Sequence, residues 1–143
     1  MALIQFVTFR IENNLLGINI LHVREINRVL DMTPVQHSPA YVRGLVNLRG
    51  QTVTVFDLGV RLNLPSREIT IDSHNIILKH DTVGLLVDSI GDVVDTQEEG
   101  IEPPPANMGG IAEELIEGVV KLENELLVIL SAEKILAYKT NIQ

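Results

Sequence analysis

The sequence has 143 residues, 45% of them hydrophobic and 3% aromatic, with a formal net charge of -8 and no cysteine. That length fills one ordinary domain or two small barrels sharing a core. The missing cysteine excludes disulfides, thiolate metal sites and a thiol nucleophile, and the acidic balance repels a phosphate backbone, so nucleic acid is not an expected partner.

The start, Met1-Ala-Leu-Ile-Gln-Phe6, lacks the basic segment and cleavage site of a secretory signal. No run approaches the roughly 18 apolar residues of a membrane span, so a cytoplasmic protein without direct membrane insertion is expected. Short runs rich in Val, Ile and Leu then recur between turn residues, almost none with a helical period. The first five predicted strands lie near Ile4–Ile11, Leu15–Ile20, His22–Val29, Leu45–Leu48 and Thr52–Phe56. A second five follow near Asn75–Lys79, Val83–Val87, Gly91–Thr96, Val119–Leu122 and Leu126–Leu130. Asn13-Asn14, Arg49-Gly50, His80-Asp81 and Asn124 suit tight turns, because Asn, Asp and Gly tolerate the left-handed backbone such turns need. Ser38 is placed to cap a turn with Pro39 at its first position, and Ser131 to cap a helix over Ala132–Tyr138. In that helix Ile135, Leu136 and Tyr138 form the packing face, and Glu133 favours the positive end of the dipole.

The two halves resemble each other. Leu16-Gly17-Ile18-Asn19-Ile20 with Val23, Glu25 and Ile26 matches Val83-Gly84-Leu85-Leu86-Val87 with Ile90, Asp92 and Val93. Gly44-Leu45-Val46-Asn47-Leu48 before Val53, Val55 and Phe56 matches Gly118-Val119-Val120-Lys121-Leu122 before Leu127, Ile129 and Leu130. Each half reads as a hairpin, a further strand, a proline-bearing connection, a glycine and a second hairpin. Five short strands are a natural count for a small barrel, whose closure removes exposed edges. The connections differ: Thr33-Pro34 and Ser38-Pro39 in the first half, Pro103-Pro104-Pro105 followed by Gly109-Gly110 in the second. Three prolines cannot donate to a strand ladder and make a rigid surface spacer.

The sequence carries no legible catalytic machinery. His22, His37, His74 and His80 show no His-Glu-x-x-His spacing, and His37, His74 and His80 fall in predicted loops or turns. Asp88, Asp92, Asp95, Glu98, Glu99 and Glu102 lack the alternate-residue spacing and glycine of a calcium loop and read as a solvated face. No phosphate-binding loop, nucleophile elbow or dinucleotide glycine pattern occurs. No cofactor and no enzymatic activity are expected.

Five segments carry a family resemblance: Gly44 to Leu58 (GLVNLRGQTVTVFDL), Val83 to Val94 (VGLLVDSIGDVV), Gly17 to Ile26 (GINILHVREI), Ile101 to Pro105 (IEPPP) and Ile116 to Leu122 (IEGVVKL). Taken in chain order and covering essentially Phe6 to Leu136, they resemble the CheW family of bacterial chemotaxis coupling proteins. The resemblance implies a mainly β fold of two intertwined five-stranded SH3-like barrels with short helical turns and a C-terminal helix. It implies one CheW-like domain over residues 3–140, with interleaved strand repeats near 4–57 and 75–131. It also implies a scaffold joining the regulatory domain of the histidine kinase CheA to the cytoplasmic tips of methyl-accepting chemoreceptors, located at membrane-associated arrays through those partners. An adaptor of a pilus-motility or other chemosensory pathway is the alternative. The family seats the receptor tip in the hydrophobic groove between the barrels and packs the kinase against a barrel end. By similarity Val23, Glu25, Arg43, Gly44, Leu45 and Arg49 surround these surfaces, unassigned between the two partners. At a hairpin tip beside Gly50, the Arg49 guanidinium can make a two-pronged bond to a partner or brace a neighbouring loop. Glu102 and Asn107 flank the proline run where the family often has a basic or aromatic residue, which argues against a second kinase contact built from that loop.

Overall fold

Branched aliphatic side chains at alternate positions pack well on a pleated surface, and ten such runs are strands in the computed structural model, which describes residues 2–29, 31–80, 82–106 and 110–137. The first half supplies β1 (Leu3–Ile11), β2 (Asn14–Asn19), β3 (Val23–Arg28), β4 (Val42–Leu48) and β5 (Gln51–Asp57). The second supplies β6 (His74–Leu78), β7 (Val83–Val87), β8 (Ser89–Gln97), β9 (Ile116–Lys121) and β10 (Leu126–Leu130). A one-turn helix α1 (Leu58–Arg61) follows β5, and α2 (Ala132–Leu136) follows β10.

Every expected strand is present, and the largest errors of extent fall at equivalent places. The strands expected from Leu45 and Val119 begin earlier, so Gly44 and Gly118 lie inside β4 and β9, beside register shifts in the β4–β5 and β9–β10 pairings. The reason is a crossing backbone. A Cβ on Gly44 would stand 2.8 Å from the Thr33 carbonyl oxygen, and one on Gly118 would stand 2.8 Å from that of Glu102. Thr33 and Glu102 each form an isolated bridge there, to Leu45 and Val119. The glycines make room for a neighbouring chain instead of merely preceding a hairpin.

Smaller corrections have local causes. The first hairpin turns at Glu12-Asn13, with Glu12 at a φ of 57°, in place of Asn13-Asn14. Ser38 does not cap; its hydroxyl donates to the Val35 carbonyl at 2.9 Å. His74 opens β6 instead of lying in a loop. Helix α1 has no counterpart in the sequence reading, although Asp57 caps it by accepting the Val60 amide. Ser131 caps α2 as expected, accepting the Lys134 amide at 3.1 Å. Tyr138, Asp81, Asn107 and Gly109 lie outside the described residues.

The strands form two sheets, ordered β8-β1-β2-β10-β9 and β3-β6-β7-β5-β4. Exchanging each strand for its counterpart five places away converts one order into the other. Each sheet therefore takes the first two strands of one half and the last three of the other. The halves meet in two pairings per sheet, one parallel (β2 with β10, β5 with β7) and one antiparallel (β1 with β8, β3 with β6), and the pairings within a half are antiparallel. This is the mainly β, intertwined two-barrel fold that the resemblance implied.

The main core lies between the sheets. Phe9, Leu16, Ile18 and Leu130 of the first pack with Phe56, Ile76, Leu78 and Leu85 of the second, joined by Leu58, Leu62 and Ile135. Each sheet also owns a smaller cluster, Phe6, Val120, Leu127 and Ile129 in the first and Val46, Leu48, Val53, Val55, Ile77 and Leu86 in the second. Strand β7 consequently carries no polar alternation and is buried throughout, as strands covered on both faces are. At about 1.5–3 kcal/mol per fully buried large side chain, burial outweighs any surface ion pair as the source of stability.

Candidate functional site

Glu25 and Arg49 come together by closing a sheet, and Val23 lies two residues before Glu25 on β3. Strands β3 and β4 stand at opposite edges of the second sheet. Glu25 is on β3, and Arg49 is at the turn between β4 and β5. The Arg49 guanidinium nevertheless donates to the Glu25 carboxylate, and next to it Arg24 Nη2 donates to Gln51 Oε1 at 2.8 Å. Twist curls the sheet until its two edges meet through side chains. Arg49 therefore ties the turn to strand β3, where the sequence leaves open a partner contact or the bracing of a neighbouring loop.

The turn is strained to place it. Arg49 has a φ of 53° and Gly50 a φ of 85°, the two left-handed residues of a tight hairpin in which Asn-Gly is the relaxed pair. Asn47 Oδ1 accepts the Gly50 amide at 3.0 Å and helps hold the bend. Arg49 keeps 65% of its side chain exposed even while paired. The Arg49 hydrogen bond, aided by its charge, holds the Glu25 carboxyl below the usual glutamate range, so that carboxylate is ionised at neutral pH.

Arg43, Gly44 and Leu45 stand apart from this pair. Arg43 is six positions back along β4, about 20 Å at about 3.3 Å per residue. Its Nη1 donates to Asp57 Oδ2 at 3.1 Å and to the Arg67 carbonyl at 2.7 Å. Gly44 is buried against Thr33, and Leu45 exchanges backbone hydrogen bonds with Thr33 at 2.8 Å. Gly44 and Leu45 shape the loop that crosses β4, while Arg43 ties β4 to Asp57 and to the connection carrying Arg67.

Two surfaces flank Val23. On β3 Ile26 is an exposed aliphatic between Arg24 and Arg28, with Leu21 exposed just before the strand and Ile71, 79% exposed, in the loop that leads into β6. Arg28 Nη1 donates to the Ile71 carbonyl at 2.9 Å and holds that loop beside the strand. On the other side, Val23 pairs with Leu78, which lines an open groove of about 420 Å³ between the end of β6 and α2. His22, Ala132, Glu133 and Leu136 complete most of its wall. A mostly apolar groove with a few polar groups at its edge suits the apolar face of a helix.

The equivalent place in the other barrel is built differently. By the repeat, Glu25 corresponds to Asp92 and Arg49 to Glu123, so two acids replace the ion pair. The first sheet is tied instead by Arg10 Nη2 to Glu125 Oε2 at 2.7 Å. Of the acidic stretch read as a solvated face, Asp92, Asp95, Glu98, Glu99 and Glu102 are exposed, but Asp88 is engaged by the Arg67 guanidinium at 2.8 Å. Among the described residues no three His, Asp or Glu side chains are grouped so as to hold a metal ion, and no helix is long and apolar enough to cross a membrane.

Asp57, Arg61 and Arg67 carry structural work that the sequence reading missed. Arg61 donates to the last carbonyls of α2, Nη2 to Lys134 O at 2.9 Å and Nε to Ile135 O at 3.1 Å, and its guanidinium lies 5.2 Å from the Tyr41 ring centroid. The Asp57 signal was available, an Asp three residues before Val60 at the end of an apolar run.

Comparison with known proteins follows the same lines. A family model described as CheW-like domain matches residues 5–139. The chain is 34% identical over 143 residues to the chemotaxis protein CheW of Treponema pallidum (strain Nichols), covering 94% of this chain and 83% of the relative. It is 34% identical over 134 residues to the chemotaxis protein CheW of Bacillus subtilis (strain 168), covering 92% and 86%. The crystal structure of the scaffolding protein TtCheW from Thermoanaerobacter tengcongensis superposes with a TM-score of 0.87 at 28% identity, covering 100% of this chain and 92% of that one.

Proposed function

The chain belongs to the CheW family, and from that premise we propose that it is a non-enzymatic chemotaxis adaptor joining the regulatory domain of the histidine kinase CheA to chemoreceptor tips. In this reading it works in the cytoplasm and reaches the membrane-associated array through its partners. The observation that carries the reading is the Arg49–Glu25 pair: a long cationic side chain kept at a strained turn position, largely exposed, tied to a strand that bears the exposed Ile26. Strain of this kind is retained where surrounding structure or function requires it. Aliphatic contact area with a charged rim is what a reversible protein interface needs, apolar burial supplying affinity and the rim supplying register.

The groove beside α2 is the proposed seat for the helical receptor tip, and the β3 edge with Glu25 and Arg49 the flanking contact. Val23 links the two surfaces. Leu45 and Gly44 act at one remove, by holding the Thr33 loop against β4, and Arg43 by tying β4 to Asp57 and Arg67. The test is co-sedimentation with receptor-containing membranes and purified kinase. Arg49→Glu places two carboxylates side by side and is expected to leave the circular dichroism spectrum intact while reducing co-sedimentation. Undiminished assembly by a folded Arg49→Glu protein would remove this surface from the reading.

A further inference from the structure

We propose that Arg67 is a positioning residue that sets the angle between the two barrels, with its backbone fixed to one sheet and its side chain to the other. It lies in the connection between β5 and β6, yet its side chain is only 7% exposed. Its amide donates to Asp57 Oδ2 at 2.8 Å and its carbonyl accepts from Arg43 Nη1 at 2.7 Å, both groups of the second sheet. The guanidinium reaches the other way. Nη2 donates to Glu12 Oε2 at 2.9 Å, in the β1–β2 turn of the first sheet, and Nη1 donates to Asp88 Oδ2 at 2.8 Å, where the chain crosses from β7 to β8. The same Asp88 oxygen accepts the Glu12 amide at 2.8 Å, so turn, crossing and connection share one knot. Pro65 O accepts from Nε at 3.2 Å and Nη2 at 2.9 Å.

Two backbone positions are given over to this knot. Glu12 holds a φ of 57°, a conformation unfavourable for its side chain, although Asn13 and Asn14 stand next to it. Gly59 has no side chain where a Cβ would lie 2.6 Å from Arg67 Nε and 2.6 Å from the Pro65 carbonyl. The apolar core between the sheets cannot set the angle with the same definition, because hydrophobic attraction is non-directional, whereas a forked guanidinium between two carboxylates fixes both distance and orientation. On the adaptor reading, that angle sets how far apart the two partner surfaces are held.

The cysteine-free sequence allows paired spin labels at chosen positions. Thr52→Cys on β5 with Glu117→Cys on β9 spans the two sheets, and Thr52→Cys with Ile26→Cys on β3 stays within the second. Arg67→Met is expected to shift and broaden the distance distribution of the spanning pair and to leave the within-sheet pair unchanged. If Arg67→Met does not fold, Glu12→Gln, at the more exposed arm, is expected to give a smaller change in the same direction. An unchanged spanning distribution in either folded variant, or equal broadening of both pairs, would overturn the proposal. No partner is present in the measurement, so its result is independent of whether the adaptor reading holds.

Discussion

Arg49 sits where Asn is the easier residue, and the exchange separates turn strain from binding. Arg49→Asn relaxes the left-handed position but deletes the ion pair with Glu25. An exposed pair contributes little net stability, so the melting temperature is expected to stay level or rise slightly. Affinity for the receptor or kinase is expected to fall at least tenfold, about 1.4 kcal/mol or more, since arginine is among the residues that carry interface energy. A titration of the glutamate carboxyls by NMR provides an independent check. Because Arg49 favours ionised Glu25, the folded protein holds that proton less tightly than the unfolded chain. Its stabilising effect is therefore complete at neutral pH and lost as pH falls through the depressed folded value. Glu25 should titrate below the usual glutamate range and move up towards it in Arg49→Asn. The turn role of Arg49 was legible because Asn47-Leu48-Arg49-Gly50 lies between two alternating runs. Arg67 was not, since Glu12, Asp57 and Asp88 come from three distant segments and leave no local pattern.

Gly44, Gly118 and Gly50 look alike in sequence and differ in the elements they serve. At Gly44 a methyl group would press on the Thr33 carbonyl, and at Gly118 on that of Glu102, each at 2.8 Å, so the crossing segment must move. Gly44→Ala and Gly118→Ala are each expected to cost about 1–3 kcal/mol by overpacking. At Gly50 nothing lies within 4 Å, and only the φ of 85° opposes a side chain. Gly50→Ala is expected to cost about 1 kcal/mol, from backbone strain alone. Urea denaturation of the three variants should rank them this way, and a Gly44→Ala protein as stable as the parent would refute the crossing-backbone explanation. The strands themselves were legible because exposure along β3 alternates with the period of the chain and needs no knowledge of partners. Helix α1 was not, because a single turn is too short to display a helical period, and only its Asp57 cap marks it.

The exchange of strands between the halves predicts how the molecule comes apart. Because each sheet needs strands from both halves, a fragment ending before β6 and a fragment beginning there should each be unstructured alone and fold when mixed. Amide chemical-shift dispersion in each fragment and in the mixture reads this directly, and a folded single fragment would contradict the shared core. Intact protein should lose both sheets in one cooperative transition. Alternation of Val, Ile and Leu against polar residues, glycine spacing and the repeated motifs were sufficient for ten strands, a duplication and the family, since each depends on neighbours within a few residues. Which half pairs with which, why Gly44 cannot carry a side chain, and how Arg67 joins two sheets depend on contacts between segments dozens of residues apart. Such contacts exist once the chain has closed around its core, because hydrophobic burial says which side chains go inside without saying which strand lies beside them.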